Sequence, residues 1–245
     1  MTGPESGAGS EPDPRERLAA ALRPIITMTV ASELDDDALT EAAVDAERIA
    51  ALLAKRAGAR RPRRQPDPAR AAQDLFPTSP IMGVASPIAP PIRIWAVDGA
   101  DGGSREVRAE AYFDYAYEGP PTCVHGGVIA ETFDEILGAA NIVAGNPGMT
   151  GTLTVRYRKP TPLRTDLRIE ARCLGRSGRK VNTWAGIYHG DVLTAEADGI
   201  FIEVPAAQFL AIAEGNVGSV DPAMLAAMRA EAARVAAEPD GTSSA

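Results

Sequence analysis

The chain has 245 residues, 45% of them apolar, and a formal net charge of −8. This size and composition suffice for one sizeable hydrophobic core. The acidic balance argues against a nucleic acid as the main partner, because phosphate backbones bind positive surfaces. No apolar run reaches the roughly 18 residues of a membrane span, and the polar start does not resemble a signal peptide, so we expect a cytoplasmic protein.

The first 85 residues predict a tail and a helical extension. Residues 1–14 are rich in Gly, Ser, Pro and acids, which predicts disorder. Residues 15–85 are interpreted as helices and a linker, with Ser32 as the N-cap of a helix from Glu33 to Ala57. The helix ends in a basic, proline-broken connector over 60–68. A solvated linker is the preferred interpretation, and contact with an anionic ligand or an acidic subunit is the alternative.

Prolines rule out regular structure over residues 77–91, and we expect this segment to wrap over the core that follows. The periodicity then changes from 3.6 to 2. One long hydrophobic helix is predicted from His125 to about Ala144. A last helix is predicted from Asp221, an N-cap followed by Pro222. The predicted strands are Ile92–Val97, Glu106–Tyr117, Met149–Arg158, Asp166–Leu174, Lys180–Tyr188 and Val192–Val204.

The entry to the long helix is the most informative part of the chain. Residues 118–125 form a Pro- and Gly-rich loop, and Gly126 and Gly127 open the helix. The first helical N–H groups have no intrahelical partner and lie at the positive end of the helix dipole, so they can bind an oxygen with partial negative charge. At 100° per residue Asp134 falls at the border of the apolar face, whereas Glu131 and Glu135 lie on the predicted solvated face. We therefore expect Asp134 to face a partly buried cleft and to have a raised pKa.

The order of two strands, one long helix and four strands is typical of the hotdog fold, an α+β architecture in which a curved antiparallel sheet wraps around the helix. His125-Gly126-Gly127, with Asp134 nine residues after the histidine, resembles the signature of the PaaI-type acyl-CoA thioesterases. The resemblance covers the predicted domain 86–204 and leaves 205–245 as a helical extension. Three further strings resemble the branch of thioesterase superfamily members 4 and 5: Met149-Thr150, Tyr157-Arg158-Lys159-Pro160 and Gly178-Arg179-Lys180.

This resemblance implies a catalytic mechanism. The Gly127 N–H would bind the thioester carbonyl, and Asp134, contributed across a dimer interface, would act as general base or as nucleophile. Thr150 would hold the attacking water. Thr152 and Thr154, predicted on the same face of the strand, are the alternative candidates for this role. His125 would help near the carbonyl, although a histidine here can also simply cap the helix. One departure is Gly119, where many PaaI-type members place an asparagine that positions water.

The resemblance also implies where coenzyme A binds. Gly126 would line the substrate site, and positive side chains at two strand-end turns would hold the phosphates. Solvated turn residues remain the alternative for each of them. The predicted substrate-binding residues are Arg158, Lys159, Pro160, Ser177, Gly178, Arg179 and Lys180, with Arg176 in the same cluster.

The predicted function is acyl-CoA hydrolysis by a homodimer or dimer of dimers. The leading alternative is an acyl-CoA sensor or carrier that performs no chemistry, in which the N-terminal helices bind a partner. A Cys123–His125 nucleophile is disfavoured because near neighbours in a tight loop seldom align sulfur and imidazole. Two cysteines, Cys123 and Cys173, cannot form a disulfide framework, and with only His125 and His189 we expect no metal and no other cofactor.

Overall fold

The computed structural model describes residues 13–55, 76–99 and 105–214, together with 225–226, 229–230 and 233. Residues 1–12 of the predicted tail, the connector over 60–68 and the predicted helix start at Asp221 lie outside these residues, whereas Pro14, the last residue predicted to be disordered, begins a helix. None of the described helices is long and apolar enough to cross a membrane.

Two helices precede the sheet. Helix α1 spans Pro14–Ala31 and helix α2 spans Asp36–Ala54. The N-cap of α2 is Asp35, whose side chain accepts the Ala38 N–H at 2.9 Å, so the prediction of Ser32 as N-cap was wrong. Ser32 instead accepts the Leu34 N–H at 3.1 Å, a local turn that competes with helix.

The chain divides into two compact units, one containing α1 and the sheet, the other containing α2 and a short helix α4, Ala206–Glu214. Helix α4 lies within the helical extension predicted over 205–245, for which only the helix from Asp221 was given a start. In the first unit, the Arg23 guanidinium of α1 donates to three backbone carbonyls of the proline-rich segment, at 2.8–3.3 Å. Met82 of that segment is part of the hydrophobic core, which confirms that the segment covers it.

Six antiparallel strands form one sheet in the order β1-β2-β4-β5-β6-β3, so β3 lies at an edge and pairs only with β6 among the described strands. The strand β2 was predicted to reach Tyr117 but ends at Tyr112, because Asp114 caps a 3-10 turn over Tyr115–Tyr117. The strands are β1 Ile92–Val97, β2 Glu106–Tyr112, β3 Gly148–Tyr157, β4 Asp166–Ser177, β5 Lys180–His189 and β6 Val192–Glu203.

The long helix α3, Gly126–Val143, packs against one face of the sheet. Its buried side chains cover a wide arc because the sheet and the proline-rich segment contact different sides of the helix. The mixed α+β architecture predicted from the sequence is therefore confirmed. Large side chains at the centre of this core are Phe113, Phe133, Ile136, Leu137, Leu167, Ile169 and Ile187.

Candidate active site

The first turn of α3 is capped by His125. Its Nδ1 accepts the Gly127 N–H at 3.0 Å, and its backbone carbonyl accepts the Ile129 N–H at 3.1 Å. A neutral imidazole that accepts at Nδ1 carries its proton on Nε2, which remains available as a donor. The capping interpretation of His125 is thus confirmed, while a catalytic role remains a prediction.

The loop before α3 holds His125 tightly from the other side. The His125 N–H donates to the Tyr117 carbonyl at 2.9 Å, and Gly119 lies directly against the histidine. A Cβ added at Gly119 would come within 2.7 Å of His125 Cα. This loop therefore has no room for the asparagine side chain that the PaaI-type pattern places at this position.

Thr150 and Asp134 meet at the open edge of the sheet. The Thr150 hydroxyl donates to Asp134 Oδ1 at 2.7 Å, so the structure brings together two residues that the sequence places 16 positions apart. The Asp134 carboxylate is exposed in the single chain, which corrects the expected partial burial. It lies beside β3, an edge strand that pairs only with β6 among the described strands.

A β-bulge decides which threonine reaches Asp134. The pairing of β3 with β6 shifts between Thr150 and Thr152, so Thr150 is opposite the buried Phe201 and Thr152 is opposite Ile200. The alternation of β3 side chains between the two faces of the sheet is broken at Gly151. As a result, Thr152 and Thr154 face away from the helix. The prediction that these two threonines share the face of Thr150 was wrong.

The half-buried acid on α3 is Glu135 rather than Asp134. Burial raises the pKa of Glu135, the hydrogen bond with Ser79 lowers it, and the neighbouring Asp134 charge raises it further. Ser79 belongs to the proline-rich segment, which covers the side of α3 that the helical wheel assigned to solvent. The prediction that Glu135 lies on a solvated face of the helix was therefore wrong.

We expect Glu135→Gln to change how stability depends on pH. An acid whose pKa is raised in the folded state favours folding while it is protonated. This contribution is lost as the pH rises from 4.5, the ordinary pKa of the carboxyl group, through the higher pKa that the group has in the folded protein. The variant should therefore be more stable than wild type at pH 8, with the difference vanishing below about pH 4. Urea unfolding at several pH values measures this. Glu131→Gln, an exposed acid one turn earlier, is the control, and equal pH profiles for Glu135→Gln and wild type would contradict the prediction.

The predicted phosphate-binding residues form two groups in one chain rather than a single cluster. Arg158 and Lys159 both donate backbone N–H groups to the Thr194 carbonyl near the start of β6. Lys180 is opposite Ile202 near the end of β6. Eight residues of extended strand, about 27 Å, separate these positions, so the predicted clustering was wrong within a single chain.

Most of the arginines in these groups already have partners. Arg158 is paired with Glu196, and this contact lowers the pKa of that carboxyl group. Arg176 contacts Glu203 at 2.5 Å, and the Arg179 guanidinium donates to the Glu203 carbonyl. Lys159 and Lys180 have no carboxylate partner among the described residues. A tight turn at Ser177 and Gly178 precedes Lys180, and Gly178 in this turn has φ +58°.

Cys123 and Cys173 are both free, so neither forms a disulfide. In the part of the chain that the structure describes, no group of three or more His, Cys, Asp or Glu side chains could hold a metal ion.

The sheet packs against α3, His125 caps the glycine pair at the start of that helix, and a carboxylate follows two turns later, an arrangement that matches the hotdog fold. Residues 122–197 match the family model of the Thioesterase superfamily. This match confirms the resemblance to thioesterases seen in the sequence.

Two comparisons describe the relatives. Acyl-coenzyme A thioesterase THEM4 of Xenopus laevis is 38% identical over 89 residues, which are 36% of this chain and 40% of that protein. The match thus spans less than half of this relative. The crystal structure of a thioesterase superfamily protein is similar to 78% of this chain and 95% of its own, with 28% identity and a TM-score of 0.65.

Proposed function

We propose that the chain is an acyl-CoA thioesterase that hydrolyses an acyl-CoA to a free acid and coenzyme A. The observation that carries this proposal is the 2.7 Å hydrogen bond between Thr150 and the exposed Asp134 carboxylate. A carboxylate fixed by a hydroxyl at an open strand edge can accept a proton from water or attack a carbonyl carbon. The similarity to an acyl-CoA thioesterase over 89 residues supports the same substrate class.

The proposed active site needs two chains. Gly127 and Asp134 are seven residues apart on α3, so about 10.5 Å of helix rise separates them. They cannot contact the same thioester group from one chain. A homodimer joined at the β3 edge would place Asp134 of one chain beside Gly127 of the other, and the exposed Met149 and Tyr157 on β3 support such an interface.

The reaction begins when the thioester carbonyl takes the Gly127 N–H from His125 and lies at the positive end of the α3 dipole. With Asp134 as base, the carboxylate takes a proton from a water held by Thr150, and the hydroxide adds to the carbonyl carbon. The tetrahedral intermediate carries its negative charge on the oxygen bound by Gly127. The C–S bond then breaks, and the leaving thiolate takes up the proton that Asp134 holds.

With Asp134 as nucleophile, one carboxylate oxygen adds to the carbonyl carbon and the coenzyme A thiolate leaves. The product is a mixed anhydride between Asp134 and the acyl group. Water then hydrolyses the anhydride, which releases the acid and restores the carboxylate.

Coenzyme A requires positive charge for its phosphates, which an acidic protein must supply locally. Lys159 and Lys180 are exposed and have no carboxylate partner among the described residues, and the turn at Ser177, Gly178 and Arg179 allows a close approach of backbone to phosphate. Arg158, beside Pro160 at the other end of β6, would contribute after exchanging Glu196 for phosphate.

A panel of acyl-CoA thioesters tests the proposal, from acetyl to palmitoyl with phenylacetyl and benzoyl included. Free-thiol release and equilibrium binding are measured in parallel on the wild-type chain. We expect saturable turnover of at least one member, and the chain-length profile defines the acyl pocket. Saturable binding without thiol release from any member would contradict hydrolysis and favour the sensor or carrier.

A further inference from the structure

Tyr157, the last residue of β3, contacts the start of α3. Its hydroxyl donates to the Gly126 carbonyl oxygen at 2.8 Å, although 31 residues separate the two in sequence. The ring also lies over Gly126, since a Cβ added there would come within 3.3 Å of the hydroxyl oxygen and 3.4 Å of Cζ. A glycine at 126 therefore leaves the space that the tyrosine ring needs.

The hydrogen-bonded carbonyl belongs to one particular peptide group. The Gly126 carbonyl and the Gly127 N–H are the two ends of the same planar amide. A donor on the carbonyl oxygen polarises the amide and strengthens the N–H as a donor, by about 10–30% per bond. The Gly127 N–H is the group proposed above to bind the thioester carbonyl.

A continuous chain of hydrogen bonds thus crosses the helix start. It passes from the Tyr157 hydroxyl through the Gly126–Gly127 amide to His125 Nδ1, with lengths of 2.8 and 3.0 Å. When a substrate carbonyl replaces His125 as the acceptor, Tyr157 still holds the plane of the amide. The donor is then oriented before the negative charge develops, which is the requirement for electrostatic stabilisation of a transition state.

We propose that Tyr157 is a positioning residue that orients and polarises the Gly127 N–H as the oxyanion donor. This inference rests on the proposed thioesterase function and adds a residue from the sheet to it. Tyr157 acts through the amide and needs no contact with the substrate.

The variant Tyr157→Phe tests this directly, because it removes the hydroxyl and keeps the ring over Gly126. We expect kcat to fall about three- to tenfold while KM changes less than twofold, a fraction of the loss seen when an oxyanion donor itself is removed. The Gly127 amide resonance in a 15N–1H NMR spectrum should move, because its peptide carbonyl loses a hydrogen bond. Tyr188→Phe is the control, because that ring lies 4.3 Å from the Arg168 guanidinium carbon and Tyr188 is opposite Arg168 in the pairing of β4 and β5.

Two results of this experiment would overturn the inference, and a third would overturn the proposed function. Wild-type kcat and an unmoved Gly127 amide in Tyr157→Phe would overturn the inference. A loss of activity that comes with a lower Tm and shifts spread over the whole spectrum would overturn it as well, since that is a structural effect. A wild-type chain that hydrolyses no thioester would overturn the proposed function, and the Gly127 amide would still show whether Tyr157 acts on it.

Discussion

Asp134→Asn is expected to lower kcat/KM for acyl-CoA hydrolysis by about 10²–10⁴-fold, the range for removing a general acid or base. The asparagine oxygen can still accept the Thr150 hydroxyl that Asp134 accepts at 2.7 Å, so the local geometry is kept. What the variant loses is the negative charge that takes a proton or attacks carbon. Free-thiol release under saturating and limiting substrate measures both kcat and KM.

The control for this variant is Glu131→Gln, which neutralises another exposed acid on α3. That change should leave turnover within about twofold of wild type, because Glu131 has no proposed contact with the thioester and the charge of an exposed side chain is largely screened by salt. Activity of Asp134→Asn near the wild-type level, with the fold intact by circular dichroism, would contradict the proposed role of Asp134.

Isotope labelling tests one of the two roles open to Asp134, that of nucleophile. If the carboxylate attacks the thioester and water then adds to the Asp134 carbonyl carbon of the anhydride, hydrolysis in 18O-water transfers the label to Asp134. Mass spectrometry of the peptide that contains Asp134 then detects the added mass and establishes the nucleophile. A label found only in the product acid is expected for a general base and also for addition of water to the acyl carbon of the anhydride.

Mixing two inactive variants is expected to restore activity, because we propose that each site takes Asp134 from one chain and Gly127 from the other. Asp134→Ala removes the carboxylate. Gly127→Val blocks the helix start, since even a Cβ at this position lies 3.0 Å from His125 Nδ1. We expect each homodimer to lose about 10²-fold or more. A heterodimer of the two carries one intact site and should recover up to half of the activity of a wild-type dimer.

The matched control places both substitutions in one chain and mixes it with wild type. In that heterodimer neither site is intact if the residues come from different chains, whereas one site is intact if both come from the same chain. Subunits are exchanged by mild denaturation and dilution, and heterodimers are isolated with two affinity tags. An active heterodimer of wild type with the double variant, and an inactive one of the two single variants, would contradict a site shared between chains.

Local patterns were sufficient for the helix and most strands. The apolar residues of α3 recur at helical spacing, and the strands alternate, so their positions follow from which side chains must leave water. The glycine pair and Asp134 could be predicted as site residues because free N–H groups at the start of a helix can bind a substrate oxygen, and a carboxylate follows about two turns later. Two predictions of element ends failed at local caps that the pattern did not single out: Asp35 rather than Ser32 caps α2, and Asp114 begins a 3-10 turn after β2.

The sequence by itself determined the fold class, the domain's resemblance to thioesterases and the residue types at the helix start, because these depend on periodicity and on short-range geometry. Only the tertiary structure decided that Thr150 rather than Thr152 meets Asp134, that Glu135 is the half-buried acid and that Tyr157 holds the Gly126 carbonyl. Each of these depends on a register shift or on the packing of segments far apart in the chain. Side-chain spacing along one strand or helix carries no information about which distant segment will lie against it.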